Sequence, residues 1–142
     1  MYTPSTEAEL AEIIRDADGP LAVRGGGTRG IDATGAPLST SNLSGITLYE
    51  PGAMTVVAQA GTPVSKIEEK LAAENQRLAF EPMDHRTLLG KTGEPTIGGV
   101  MAANISGPRR ISVGAARDFL LGVRYVDGMG SIVKSGGRVM KN

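Results

Sequence analysis

The residues with the clearest chemical potential lie in a glycine-rich loop, Arg24-Gly25-Gly26-Gly27-Thr28-Arg29-Gly30. The loop follows a short apolar run that predicts a buried strand. Consecutive glycines can turn several backbone N–H groups the same way, and because they lack Cβ atoms they let phosphate oxygens approach closely. Taken alone, the loop is equally consistent with an anion-binding site and with a plain glycine turn.

Residues 25–30 also match the GxGxxG fingerprint of NAD-binding domains, and Glu50 follows at about the distance of their ribose-binding acid. That fingerprint requires a helix directly after the loop, so that its N-terminal amides face the phosphates. Residues 31–41 instead contain Gly35, Pro37 and other turn formers, which predict an extended loop rather than a regular element. The sequence therefore argues against an NAD-binding domain.

A second apparent phosphate motif is Gly90-Lys91-Thr92, which has the ending of a P-loop. The first glycine of that motif would fall at position 85, which is His85. Glu94-Pro95 also obstructs the helix that must follow the motif. A nucleotide triphosphatase is therefore disfavoured.

Composition narrows the class of protein further. The 142 residues carry 15 Lys and Arg and 15 Asp and Glu, a balance that disfavours nucleic-acid binding and polybasic membrane attachment. The sequence has no cysteine, which excludes disulfides and thiolate-bound metals, and no metal site is predicted. Neither a signal peptide nor an apolar run of bilayer length is present, so the prediction is a cytoplasmic protein without a transmembrane segment. Basic residues outnumber acidic ones after Ile105, which favours an anionic ligand or partner there.

Periodicity and turn residues predict helices and strands through residue 80. Thr6 and Glu9 form a capping box for a first helix, which stops at Gly19-Pro20. Thr62 is predicted to cap a second helix that begins at Pro63. The predicted strands are Leu21–Arg24, Ile46–Glu50, 55–59 and 78–80, with the middle two joined as a hairpin.

The second half of the chain has weaker signals. Residues 86–99 are rich in glycine and predict a loop leading to a second lobe, and residues 100–104 predict one or two helical turns. Residues 119–126 and 131–134 flank Asp127-Gly128-Met129-Gly130 and predict a β-hairpin. The predicted fold class is α+β.

Several further motifs occur in order along the chain: Thr96-Ile97-Gly98-Gly99, Ala103-Asn104-Ile105-Ser106-Gly107, Gly114-Ala115-Ala116-Arg117-Asp118 and Gly136-Gly137-Arg138-Val139-Met140-Lys141-Asn142. Together with the glycine loop they resemble the FAD domain of the vanillyl-alcohol-oxidase (PCMH-type) flavoprotein family. Within that family the resemblance is greatest to the FAD-binding subunits of bacterial glycolate oxidases. It implies a two-lobed α+β domain, with a first lobe over residues 1–85 and the start of a second lobe, truncated relative to the family, over residues 86–142.

The resemblance also implies which residues contact FAD. The loop would hold the pyrophosphate through Arg24, Gly25, Gly26, Gly27, Thr28, Arg29 and Gly30. The ribityl and flavin side would be lined by Thr96, Gly98, Gly99, Ala103, Asn104 and Gly107, and Gly114 would complete or support the pocket. Some relatives bind flavin covalently through a histidine in the loop or through a cysteine. Thr28 fills that loop position here and cysteine is absent, so non-covalent FAD is predicted.

Three other features of the sequence each allow a structural and a functional interpretation. Arg117-Asp118 is a structural ion pair or a cofactor contact, with the ion pair favoured. Arg109 and Arg110 are similar to an arginine pair of the glycolate oxidase subunit, and a solvated surface or partner interface is the alternative. His85 lies in a loop that approaches the flavin in relatives, yet a lone loop histidine is usually a surface or locally bonded residue.

The function implied by the resemblance is oxidation of a 2-hydroxy acid, glycolate to glyoxylate, by an FAD-binding subunit. Its partners would be FAD, a second flavin subunit and an iron–sulfur subunit, through which a cytoplasmic protein could sit at the inner membrane. No catalytic residue is assigned, because such residues usually lie in parts of the family pattern beyond residue 142. The alternative function is a non-catalytic scaffold or an electron-relay subunit that keeps the fold without substrate turnover of its own.

Overall fold

The computed structural model describes residues 1–138. Its first helix, α1, spans Glu7–Asp16 and begins as its sequence predicts. The hydroxyl oxygen of Thr6, the N-cap, accepts a hydrogen bond from the backbone N–H of Glu9 (3.1 Å). The Glu9 carboxylate accepts from the N–H of Ser5 (2.7 Å) rather than from that of Thr6. Thr6 therefore caps the helix as predicted, while the return bond of the capping box reaches one residue further out.

A parallel pair of strands follows α1. Strand β1, Leu21–Arg24, pairs with β2, Ala36–Ser39. The prediction that residues 31–41 lack a regular element is wrong for β2. Proline has no backbone N–H to donate, but Pro37 takes part in backbone pairing through its carbonyl, which accepts from the N–H of Tyr2 (2.8 Å). The strand can therefore include a proline at this position. The glycine loop therefore connects two parallel strands.

The predicted hairpin after the loop is confirmed. Strand β3, Ile46–Glu50, pairs antiparallel with β4, Thr55–Ala58. A single 3₁₀ turn, Pro51–Ala53, and a left-handed residue, Met54 (φ 51°), connect them. The connection is thus longer than the tight turn that Pro51-Gly52 suggests.

Helix α2 spans Val64–Ala72, but Thr62 does not cap it. The Thr62 hydroxyl, 1% exposed, donates to the carbonyl of Gln59 (2.7 Å) and accepts from the N–H of Gly45 (2.9 Å). Thr62 therefore holds the two loops at the end of the β3–β4 hairpin together, and the helix starts without a side-chain cap. The predicted strand at residues 78–80 is also wrong, since this segment has no strand partner and packs into the core through Phe80.

Short helices lie within and after residues 86–99, the region predicted as a loop. Helix α3 spans Arg86–Leu89, α4 spans Ile97–Ala102 and α5 spans Arg110–Val113. Helix α4 begins earlier than the helix predicted at residues 100–104 because the Thr96 hydroxyl caps it, accepting from the N–H of Gly99 (3.2 Å). Its two glycines have low helix propensity, which obscured this start in the sequence.

The second predicted hairpin is confirmed with shifted bounds. Strand β5, Gly122–Val126, pairs antiparallel with β6, Ile132–Gly136. Residues 116–119 form a 3₁₀ turn, so the strand begins later than predicted. The hairpin packs on α1, where Arg15 Nη2 donates to the carbonyl of Gly130 (3.1 Å). Residues 139–142 of the last sequence motif lie outside the described part of the chain.

The apolar core lies between α2, α4 and the 3₁₀ turn at residues 116–119. Val64, Phe80, Val100 and Ala116 are buried there, with partly buried residues packed around them. The rings of Phe80 and Phe119 stack with their centroids 6.1 Å apart. The fold is α+β, as predicted, and its strands form three two-stranded sheets within residues 1–138. The core takes residues from both sides of residue 86, and the two-lobe division stays a prediction.

Candidate FAD-binding site

The glycine loop has the backbone shape that its composition predicts. Gly27 and Gly30 adopt left-handed conformations (φ +66° and +64°), which side chains with a Cβ rarely adopt. Between them the side chain of Thr28 turns inward and is 3% exposed. Arg24, at the end of β1, is exposed and lies 3.8 Å from the Asp32 carboxylate. The centre of the loop is therefore anchored by the buried Thr28, and its first residue, Arg24, faces solvent.

The loop lies directly against residues 93–99, and we call the two together the glycine cleft. A Cβ on Gly26 would lie 1.7 Å from the carbonyl oxygen of Glu94, and one on Gly25 would lie 2.5 Å from Thr96 Oγ1. From the other side, a Cβ on Gly93 would lie 2.6 Å from the carbonyl oxygen of Gly26. These glycines are needed because two stretches of backbone meet at a separation that no side chain permits. The structure thus brings the loop and the Thr96 segment together.

The backbone N–H groups of residues 26–30 make no hydrogen bond with any residue in the range 1–138. Most of this loop is half-buried or exposed, so these donors can reach a ligand or solvent. A run of such donors forms a concave surface suited to an anion. The loop therefore has the donors of an anion site in addition to its glycines.

Arg29 adds a cation to these donors. Its Nε is buried and has no hydrogen-bond partner within the described residues, while Nη2 donates to the carbonyl of Met83 (3.4 Å). Burial lowers the pKa of the Arg29 guanidinium, and the Asp84 carboxylate opposes that effect. An arginine remains charged in spite of such burial. Arg29 is thus a partly desolvated cation within the loop, and its Nε is a donor without a partner among residues 1–138.

Helix α4 brings Gly98 and Gly99 to the cleft for different reasons. The N–H of Gly98 donates to the carbonyl of Ala60 (2.8 Å), and a Cβ on Gly98 would lie 2.7 Å from that same oxygen. A Cβ on Gly99 would lie 3.4 Å from Arg29 Nη1. Gly98 therefore serves the packing of α4 on the chain before α2, and Gly99 leaves room for the Arg29 guanidinium. Ala103, the C-cap of α4, is exposed.

The ion pair between Arg86 and Asp84 connects the segment before α3 to the glycine cleft. Arg86 Nη2 donates to Asp84 Oδ2 (2.7 Å), and Arg86 Nη1 donates to the carbonyl of Gly93 (2.9 Å). Hydrogen bonds from Arg86 lower the pKa of the Asp84 carboxyl to about 2. The segment before α3 is thereby tied to Gly93, which itself contacts the loop.

The remaining predicted site residues lie in residues 104–118, which we call the 104–118 region. Asn104 is left-handed (φ +49°), and its side-chain oxygen accepts from the N–H of Arg117 (3.0 Å). The Ser106 hydroxyl accepts from the N–H of Ala116 (2.9 Å). Both polar side chains thus hold one part of this region to another.

Gly107 and Gly114 in the same region contact acidic side chains. The N–H of Gly107 donates to the carbonyl of Glu81 (3.1 Å), and a Cβ on Gly107 would meet the Glu81 carboxylate. Gly114 is left-handed (φ +98°), and a Cβ there would lie 3.1 Å from Asp118 Oδ2. That carboxylate accepts from the N–H of Ala115 (2.8 Å). The favoured Arg117-Asp118 ion pair does not occur in the described structure, because Asp118 instead holds the backbone of its own turn.

Sequence reasoning missed part of the cleft. Gly93 and Glu94 were assigned to a loop without a role, although the Gly93 backbone contacts Gly26. His85 keeps two interpretations in the sequence, and in the structure its Nδ1 is buried and has no partner among residues 1–138. The positions of these residues depend on how residues 80–99 fold, and that segment has no periodic pattern of apolar residues in the sequence.

The fold and the cleft define a class of flavoprotein domain, and comparison with known proteins agrees. The family model of the FAD binding domain matches residues 1–136, so the chain belongs to this family. The resemblance to PCMH-type FAD-binding domains is confirmed, and FAD is the cofactor of this domain.

Among curated proteins, the chain is similar to glycolate oxidase subunit GlcE of Escherichia coli (strain K12), with 36% identity over 99% of this chain and 39% of the relative. It is 30% identical to D-lactate dehydrogenase of Archaeoglobus fulgidus over 98% of this chain and 31% of that protein. The chain therefore spans about two fifths or less of the length of these relatives.

Solved structures agree on the fold. Alkyldihydroxyacetonephosphate synthase superimposes with a TM-score of 0.73 at 18% identity, covering 96% of this chain and 25% of the synthase. A variant of Phl p 4, described as a glucose oxidase, superimposes with a TM-score of 0.69 at 16% identity, covering 93% of this chain and 28% of that chain. Within residues 1–138, no helix is both long and apolar enough to cross a bilayer.

Proposed function

We propose that the glycine cleft holds the diphosphate of FAD in an oxidoreductase that acts on a 2-hydroxy acid, converting glycolate to glyoxylate. The observation that carries the diphosphate site is that, within residues 1–138, the N–H groups of residues 26–30 and the Nε of Arg29 have no partner. A diphosphate offers only acceptors, and all of these groups are donors. The cleft and the cofactor therefore complement one another in both charge and hydrogen bonding.

FAD, when bound, supplies the redox chemistry by accepting hydride from the carbon that bears the substrate hydroxyl. The residues of this chain bind and orient. The loop amides and Arg29 neutralise the diphosphate, and Gly25 and Gly26 keep the two backbone stretches in contact. Thr28 fills the loop position at which some relatives carry a flavin-linked histidine, and the sequence has no cysteine, which supports non-covalent FAD.

The substrate class is supported by the relatives. Their names specify glycolate, D-lactate and, in a Xanthomonas citri protein 26% identical over 98% of this chain, D-2-hydroxyglutarate. All three compounds carry a hydroxyl next to a carboxylate. Glycolate is proposed here because the glycolate oxidase relative has the highest identity among these three.

The Escherichia coli relative is named as a subunit, which supports partners for this chain as well. We propose a second flavin subunit and an iron–sulfur subunit, with a cytoplasmic location at or near the inner membrane through those partners. FAD contact by Ala103, Asn104, Gly107 and Gly114 stays a prediction from the resemblance and is not part of this proposal. In the structure three of them, Asn104, Gly107 and Gly114, also have internal partners.

The test uses the purified full-length protein under anaerobic conditions. After incubation with excess FAD and desalting, we expect flavin absorbance, and titration with glycolate should bleach it. D-lactate and D-2-hydroxyglutarate serve as competing substrates. Flavin that is retained but not reduced by any of the three would favour an electron-relay subunit. Absence of retained flavin would contradict the cofactor site and favour a scaffold.

A further inference from the structure

His85 lies in a segment that is attached to the glycine loop at two points. On one side of it, the Met83 carbonyl accepts from Arg29 Nη2 (3.4 Å). On the other side, Arg86 donates to the carbonyl of Gly93 (2.9 Å), and the Cα of Gly93 faces the carbonyl of Gly26. The histidine is therefore held alongside the loop by its sequence neighbours.

The His85 side chain has a polar atom without a partner. Its Nδ1 is buried and makes no hydrogen bond within residues 1–138. Within the described residues, the other buried side-chain nitrogen without a partner is Arg29 Nε, which belongs to the loop itself. Unpaired buried polar atoms are rare because each loses its hydrogen bond to water without a replacement. Two of them on adjoining segments make the space beside these segments a candidate site for a further hydrogen-bonding group.

The chemistry of the neighbouring groups indicates what that further group is. The free groups of the loop are N–H donors and an arginine, which can only donate. A neutral imidazole can carry its proton on Nδ1 and then donates from that atom. We propose that His85 donates a hydrogen bond from Nδ1 to the FAD diphosphate and so completes the anion site. This inference rests on the proposed function and adds a cofactor-binding residue to it.

Two substitutions separate binding from folding. His85→Leu removes the polar atom and fills a similar volume, so FAD should bind about three- to tenfold more weakly. His85→Asn keeps a polar side-chain atom near the position of Nδ1, and its Kd should stay within about twofold of the wild-type value. Thr87→Ala, at an exposed position in α3, is the matched control and should change nothing.

The second readout is the melting temperature of the FAD-free protein. Because His85→Leu replaces an unpartnered buried nitrogen with an apolar group, its Tm without FAD should equal or exceed that of the wild type. A purely structural histidine would instead lower Tm in both variants, in parallel with FAD affinity, and that outcome overturns the inference. So does an unchanged FAD Kd in His85→Leu. Failure of the wild-type protein itself to bind FAD would be seen separately and would contradict the proposed function.

Discussion

The glycine cleft and the 104–118 region are built from the same kinds of residue and differ in how their polar groups are satisfied. In the cleft, the N–H groups of residues 26–30 and Arg29 Nε have no partner within the described chain. In the 104–118 region, the side chains of Asn104 and Asp118 accept hydrogen bonds from backbone N–H groups of the same region. Unsatisfied donors mark a surface prepared for a ligand, whereas satisfied ones mark a structural brace.

Glycines alone do not show this difference, because both regions need them for close contact. Gly26 meets the backbone of Glu94, and Gly107 meets the carboxylate of Glu81. The two regions differ in whether the polar groups next to these glycines have hydrogen-bond partners within the described chain. Cleft residues should therefore control FAD affinity, and residues of the 104–118 region should control stability.

The largest expected effect follows from Gly26→Ala. Its Cβ would lie 1.7 Å from the Glu94 carbonyl oxygen, so one backbone stretch must move. We expect a loss of about 3 kcal/mol of folding free energy, measured by urea denaturation, together with loss of retained FAD. The control is Gly52→Ala, where a new Cβ would have no atom within 4 Å. Wild-type stability in Gly26→Ala would show that the two segments do not meet.

Arg29→Met should separate binding from stability within the cleft. The substitution keeps an unbranched side chain and removes the charged donors, so the FAD Kd should rise about ten- to hundredfold. The FAD-free protein should lose less than about 1 kcal/mol, because the buried Nε has no partner to lose and the substitution removes only the long hydrogen bond from Nη2 to the Met83 carbonyl (3.4 Å). Isothermal titration and thermal melting measure the two quantities. Arg110→Met, at an exposed arginine, is the control. An equal loss of affinity there would point to net charge rather than to a contact.

Asn104→Ala tests the other side of the comparison. It removes the acceptor for the Arg117 N–H and places alanine at a φ of +49°, so we expect about 1–2 kcal/mol of destabilisation. FAD affinity of the folded protein should stay within about twofold. Asn104→Gly relieves the backbone strain and should cost less. A large fall in FAD affinity with little change in stability would instead make Asn104 a direct cofactor contact.

The smallest effect concerns acid stability. Arg86 lowers the pKa of Asp84 in the folded protein to about 2, below its ordinary value of 3.8. Its contribution is therefore present above about pH 4 and is lost as the pH falls toward 2. Asp84→Asn should slightly flatten the decline of the unfolding free energy, measured by urea denaturation, over this range, and the effect is small because the pair is largely exposed. Arg86→Gln should flatten it similarly. An unchanged slope in both variants would remove the pair from the acid response.

The sequence predicted α1, both hairpins and the glycine loop because these depend on local signals. Thr6 caps α1, and Asp127 accepts from the N–H groups of Met129 and Ser131 within its own turn. Predictions failed where distant groups decide the structure. Strand β2 exists because β1 and Tyr2 pair with it, and Thr62 bonds to the β3–β4 hairpin instead of capping α2.

The sequence by itself determined that this chain has a glycine loop able to hold an anion, and its ordered motifs resembled an FAD-binding domain. Those properties follow from residue type, since glycine permits a left-handed backbone and close approach wherever it occurs. Only the tertiary structure decided which small and polar residues are free to bind. Whether a donor is free depends on partners far away in the chain, and within residues 1–138 the amides of residues 26–30, Arg29 Nε and His85 Nδ1 have none.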